Sequence, residues 1–273
     1  MMPIVNTQNH PPQFETLLLT ELERGIYQLS INRPKVLNAL NLNCLEEINT
    51  CLDWIESQHE VRVLLLTGTG EKAFVAGADI NYMATLDAQQ AESFSQYGNQ
   101  TFSRFNQLSV PVIGLVNGYA LGGGCELALS CDFILAAETA TFAQPEVNLG
   151  ILPGFGGSQR LARRVGLNFA LELIMTGRNI KSPEALALGL VNHVYTADQL
   201  HQEGRKLARS LAHKSPYALA SIKKLMHEGV NMPLDQALIL ESQSFALTFA
   251  GNDQQLAMQA FLEKRQVSFK APH

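Results

Sequence analysis

Charge is sparse in this chain: Lys and Arg total 20 and Asp and Glu 25 among 273 residues, for a formal net charge of -5. No positive field covers the molecule as a whole, so the electrostatic footprint of a nucleic-acid binder is missing. Only four cysteines occur, Cys44, Cys51, Cys125 and Cys131, all in apolar neighbourhoods and none in a CxxC pair. This argues against both a disulfide framework and a zinc site, and a reducing, cytoplasmic setting is expected. Apolar runs such as Val110 to Val116 fall far short of the ~20 residues that cross a bilayer, so no membrane association is expected. MMPIVNTQNHPPQ has neither arginine nor an apolar h-region, and no signal or transit peptide is readable in it. Residues 1–14 read as a loose tail. GxxxxGK[ST] is absent, which disfavours nucleotide triphosphates, and no GxSxG nucleophile elbow supports a serine hydrolase. None of the seven histidines has a motif around it; His193 reads as a packed strand-end residue.

What is present is a core former, with 46% hydrophobic residues. Thr16–Thr20 and Ile26–Ile31 read as two strands joined at Glu23-Arg24-Gly25 by a tight turn. Leu45, Ile48, Leu52 and Ile55 recur at three- and four-residue spacing, which predicts an amphipathic helix over 42–55. Val61–Thr67 is a short, continuously apolar run and reads as a buried strand. Strand-then-glycine then repeats: Val63–Leu66 leads into GTGEKAFVAGAD and Val112–Val116 into NGYALGGG, with a helix near 88–108 between them. Repeated βα units imply an α/β fold with a largely parallel sheet. Phe133–Ala136 is a further strand, and GILPGFGG precedes a helix over 159–165. Beyond residue 180 the strand signal fades. Helices are expected over 183–188, 200–213, 217–227, 234–249 and 254–264, and their apolar faces must meet the core or another subunit.

Three segments carry candidate chemistry. In Asn117-Gly-Tyr-Ala-Leu-Gly-Gly-Gly-Cys-Glu126 a strand gives way to glycines and then to a helix starting near Gly123, whose first amides lack intrahelical partners and suit an oxyanion. A phosphate loop or a packing cluster of glycines reads equally well from this run alone. Glu126 is either a routine helix-dipole partner or, with Glu146 of Gln144-Pro145-Glu146, half of an acid/base pair whose pKa values burial would raise. Glu146 on its own also fits a surface turn. Lys72-Ala-Phe-Val-Ala-Gly-Ala-Asp79 offers exposed N–H groups for the second half of an oxyanion hole, or a helix cap at Asp79.

Together, KAFVAGADI, PVIGLVNGYALGGGCELALSCD, FAQPEVNLGILPGFGGSQRL and the terminal FLEKRQVSFK closely resemble the enoyl-CoA hydratase/isomerase (crotonase) family, especially its hydratases. The resemblance spans about residues 29–270. It implies a crotonase-like spiral of repeated ββα units over 15–200 and a helical C-terminal region, 201–273, used for trimerisation, as a trimer or a dimer of trimers. It implies that Ala78 and Gly123 donate the two N–H groups that hold a thioester oxygen, and that Glu126 and Glu146 are the catalytic glutamates. Gly154 would help to hold the reacting water. Ala76, Asp79 and Ile80 would lie along the substrate, with Lys35 and Lys72 near the nucleotide and phosphates of coenzyme A, although exposed lysines are often merely solvated. No metal and no separate cofactor is implied, because coenzyme A is part of the acyl-CoA thioester substrate. The chain departs from the frequent ADIKEM pattern in reading Ala-Asp-Ile-Asn81-Tyr82-Met83, which withdraws one lysine from that end of the ligand. The acyl pocket is expected between Tyr82 and Tyr97 and around Phe155. Hydration of a trans-2-enoyl thioester is the expected reaction; an enoyl-CoA isomerase or a specialised acyl-CoA hydratase of the same family is the alternative, and a non-catalytic scaffold a distant third.

Overall fold

The computed structural model describes residues 11–269. β1 (Leu17–Glu23) and β2 (Ile26–Ile31) form the expected antiparallel hairpin, with Leu17 opposite Ile31 and Gly25 at φ 75° in the turn. The helix read from apolar spacing is α1 (Leu42–Ser57), and its buried face is Leu45, Ile48, Leu52 and Ile55 plus Cys44 and Cys51. Asn41 caps it by accepting from the Cys44 amide at 3.0 Å.

The chain then repeats one plan. β3 (Val63–Gly68) and β4 (Ala73–Val75) lead to the single turn α2 (Ile80–Met83) and to α3 (Ala88–Gln107). β5 (Val112–Val116) and β6 (Tyr119–Leu121) lead to α4 (Gly123–Leu129). β7 (Phe133–Ala137) and β8 (Thr141–Ala143) lead through a 3₁₀ turn at Pro145–Leu149 to α5 (Gly157–Val165) and α6 (Leu167–Thr176). β9 (Ile180–Lys181), α7 (Ser182–Ala187) and β10 (His193–Tyr195) follow. The first strand of each pair joins a six-stranded sheet of order β1-β2-β3-β5-β7-β10, and the second a four-stranded sheet of order β4-β6-β8-β9. In the larger sheet only the β1–β2 pair is antiparallel. β3 and β5 are buried along their whole length, which is why they read as unbroken apolar runs. The result is the spiral of ββα turns.

α8 (Ala197–Ala212) lays Leu200 and Ala208 into the core and packs against β3, β5 and β7. The boundary expected at residue 201 therefore falls inside a helix of the core, and the helices that stand clear of the sheets are α9 (Pro216–Gly229), α10 (Leu234–Thr248) and α11 (Asn252–Leu262). α9 is anchored by Lys223, a buried lysine 2.8 Å from Asp132 Oδ2 that also donates to the Phe105 and Val110 carbonyls. Such a buried cation is tolerated only because all its donors find acceptors.

The strand signal does not end at residue 180: β9 and β10 are two and three residues long, too short to show a period. His193 stands at a strand end but is exposed, not packed. α6 was not anticipated; Leu167, Phe169, Leu171 and Met175 are exposed on it, so no polar face marks its periodicity. Of the expected tail, residues 1–10 lie outside the described residues, while 11–14 have no regular structure and Phe14 packs on the core. All four cysteines are free and buried. No helix among the described residues is long and apolar enough to cross a membrane.

Candidate active site

The two sheets bring the C-terminal ends of β4, β6 and β8 to one side of a cleft of about 540 Å³. Ala76, Ala78, Ile80, Gly123, Glu126, Glu146 and Gly154 line it, with an apolar wall of Met83, Leu86, Phe94 and Phe155. Lys35, Lys72 and Asp79 do not: both lysines are exposed outside the cleft, and Asp79 caps α2 through the Asn81 amide at 3.1 Å and pairs with Arg33 at 3.2 Å. A larger cavity of about 840 Å³ between α3, α5 and α9 is lined by side chains such as Asn99, Asn106 and Gln159. It contains neither glutamate.

Strand geometry explains why the Ala78 amide is free. Ala78 forms a parallel bridge with Leu40, in which the Leu40 N–H donates to the Gly77 carbonyl at 2.8 Å and the Asp79 N–H to the Leu40 carbonyl at 2.7 Å. In a parallel pairing these flanking residues take the ladder bonds, so the Ala78 N–H points the other way. It faces α4, where a Cβ built on Gly123 would lie 3.4 Å from the Ala78 nitrogen. The Gly123 N–H is the first of α4 and has no helical acceptor. Among the described residues neither amide donates to a protein acceptor. Gly122 makes the approach possible: its φ is 49°, and a side chain there would put a Cβ 2.6 Å from Glu146 Oε1.

The glutamates differ in how they are held. Glu126, 1% exposed, accepts at Oε1 from the Phe155 N–H at 2.8 Å and the Gly157 N–H at 2.7 Å. Among the described residues no protein hydrogen bond to its second oxygen is seen. The PGFGG run, legible only as a glycine-rich loop, is thus the receptor for the Glu126 carboxylate, a role that amides preceding a helix supply readily. Glu146, 9% exposed, sits in the 3₁₀ turn, and Gln144, its amide turned to donate, reaches both Glu146 oxygens at 3.2 Å. Burial pushes the Glu126 carboxyl up to about 7, the neighbouring Glu146 charge adding to the rise and the two amides opposing it. Burial likewise lifts Glu146 to about 6. Arg160 on α5, tied to Asn106 and Ser103 at 2.8 and 3.0 Å, contributes a nearby positive charge. Phe155 is wedged edge-on between Phe94 and Phe102, with ring centroids 5.0 and 5.5 Å away, so its amide is fixed by its ring. Sequence reasoning missed Gln144, Arg160 and the Phe155 and Gly157 amides; only the glycines of that loop signalled them.

The raised Glu126 pKa has a stability consequence. Below about pH 4.5 the group is protonated in both states and contributes nothing; between about 4.5 and 7 the unfolded chain has ionised while the folded one holds its proton, so stability falls as pH rises. Above pH 7 the cost is fully present, about 3 kcal/mol at ~1.4 kcal/mol per pKa unit. Glu126→Gln keeps an oxygen for both amides and removes the charge. In thermal denaturation it is expected to be more stable than the parent at pH 8, with the gain vanishing near pH 4.5. A Tm difference independent of pH would contradict the assignment.

An apolar cleft at the rim of a ββα spiral thus holds two buried carboxyl groups and two amides without a protein acceptor among the described residues. The chain belongs to the enoyl-CoA hydratase/isomerase family, whose model matches residues 21–272. It is similar to a short-chain-enoyl-CoA hydratase of Clostridium acetobutylicum, 45% identical over 92% of this chain and 96% of that one. A crotonyl-CoA hydratase of Syntrophomonas wolfei is 44% identical over 94% of this chain and 98% of its own. Among solved structures, an enoyl-CoA hydratase of Bacillus anthracis superposes with a TM-score of 0.91 at 37% identity, covering 94% of this chain and all of that one.

Proposed function

We propose that this chain is an enoyl-CoA hydratase that adds water reversibly to trans-2-enoyl-CoA to give 3-hydroxyacyl-CoA. The observation that carries this is the retention of both buried glutamates against one cleft with two unpartnered amides. Attack of water at C3 drives negative charge onto the thioester oxygen, and preorganised N–H donors in a dry site stabilise such a charge where it develops. The Ala78 and Gly123 amides take that part. Glu126 accepts a proton from the water, and Glu146 delivers one to C2; dehydration reverses both transfers. Two carboxyl groups in apolar surroundings do not ionise together readily, so the pair holds one proton near neutrality. Hydration requires that proton on Glu146 and the charge on Glu126, where the Phe155 and Gly157 amides meet one oxygen, although burial holds the Glu126 carboxyl at about 7 and that of Glu146 at about 6. Gly154 lines the cleft, and its N–H, which has no protein acceptor among the described residues, orients the water.

The substrate is an acyl-CoA thioester, and coenzyme A enters with it. The exposed Lys35 and Lys72 are offered to its phosphates from outside the cleft. The exposed apolar residues of the last helices, among them Leu234, Leu238, Ile239, Phe245 and Phe261, support self-association as a trimer or a dimer of trimers. Four free thiols support a reducing compartment, and we place the enzyme in the cytoplasm. Crotonyl-CoA assayed beside a 3-enoyl-CoA tests the reading. Fast hydration of the first with slow rearrangement of the second is expected; the reverse would make the chain an isomerase.

A further inference from the structure

We propose that Arg33 is a positioning residue for the oxyanion-binding amide of Ala78, an inference that rests on the hydratase reading above. The guanidinium bridges the two segments that form the Leu40–Ala78 pairing. Nη1 donates to the Ala39 carbonyl, one residue before Leu40, and Nη2 lies 3.2 Å from Asp79 Oδ2, one residue after Ala78. The pair is about four-fifths buried, with side chains 18% and 17% exposed, so solvent screens it less than a surface bridge. A planar fork with two fixed partners holds direction as well as distance.

Arg33 is itself held. Its N–H donates to Asn38 Oδ1 at 3.0 Å, and its carbonyl accepts from the Asn38 N–H at 2.9 Å. Asn38 is 1% exposed, adopts φ 61°, and sends its amide to the Thr69 and Ala73 carbonyls at 3.0 and 2.9 Å. Rigid contacts therefore run from the β3–β4 corner through Asn38 and Arg33 to the peptide that carries the Ala78 N–H. Three further backbone bonds in the same segment, at Ala76, Gly77 and Asp79, hold its main chain. The Arg33–Asp79 link adds a side-chain tie directly after Ala78. Only the transition state fully loads the amide, so losing the strut is expected to lower kcat and leave binding largely intact.

The test uses the full-length enzyme, crotonyl-CoA kinetics, and the infrared stretch of a ¹³C-labelled thioester carbonyl in the bound state. In the parent enzyme the carbonyl band is expected to shift to lower frequency on binding. In Arg33→Met kcat should fall about tenfold to a hundredfold, part of the loss of one oxyanion donor, with KM within about threefold and the band moved back toward its solution position. Arg33→Lys, which keeps the charge and loses the fork, should fall between. Asp79→Asn still caps α2 and should move kcat and the band in the same direction, deciding the matter if Arg33→Met does not fold. A shifted parent band with both variants matching the parent in kcat and band overturns the strut alone. An unshifted parent band overturns the oxyanion reading and the strut with it.

Discussion

Glu146→Gln is expected to slow crotonyl-CoA hydration by roughly 10²–10⁴-fold in kcat, the usual contribution of a positioned general acid, with KM changed by no more than a few-fold. The reasoning starts from burial. Glu146 sits in an apolar cleft, is lifted to about 6 by burial, and shares the site with Glu126, so the form active in hydration is the one that carries the pair's proton on Glu146 for delivery to C2. Gln is nearly isosteric and leaves the turn at Pro145–Leu149 undisturbed, but it has no acidic proton to give. Glu126→Gln should lose hydration by a similar factor for a different reason, since the water then has no base. The two variants separate on a saturated acyl-CoA. Exchange of its C2 protons with solvent needs only the two amides and Glu146, so Glu126→Gln should retain that exchange and Glu146→Gln should lose it. Deuterium incorporation followed by NMR reads this directly, and equal loss in both variants would contradict the division of roles.

Gly123→Pro carries the second large effect. Gly123 is the first residue of α4, the one helical position where proline fits because its N–H has no helical acceptor. A Cβ there meets its neighbours no closer than 3.4 Å, at the Ala78 nitrogen and Phe155 Cδ2, so a side chain is accommodated with small adjustments. Gly123→Ala is the control that adds the Cβ and keeps the amide. Removing one oxyanion donor typically costs 10²–10³ in kcat, and that is the expected difference between the Pro and Ala variants. Circular dichroism and thermal unfolding report whether both keep the fold. Equal activity in the two would show that the Gly123 N–H has no part in stabilising the oxygen.

The hairpin, α1 and the buried strands β3 and β5 were legible because each presents a period or an unbroken apolar run to the core, and C-terminal helices such as α9 and α10 because Ser215-Pro216 and Met232-Pro233 mark their starts. The smaller sheet was not. Its four strands have two or three residues each, and they pair through register between successive turns of the spiral, which no local pattern records. At the site, Glu126, Glu146 and Gly123 stood out because glycines and a proline punctuate the chain beside them. Their supports did not. Gln144 and Arg160 look like ordinary polar residues until folding sets one against Glu146 and the other near Glu126. Lys35 and Lys72 could be noted as cations, but both are exposed outside the cleft, and no local pattern ties them to it.

In the proposed reaction two amides and a carboxylate pair drive hydration of a conjugated thioester. The most direct measurement is NMR of crotonyl-CoA incubated with the full-length protein in D₂O. The expected product is 3-hydroxybutyryl-CoA carrying one deuterium at C2 and oxygen at C3, formed by the parent and not, on the same timescale, by Glu146→Gln. Unchanged crotonyl-CoA, or a double bond moved without addition of water, would contradict the account.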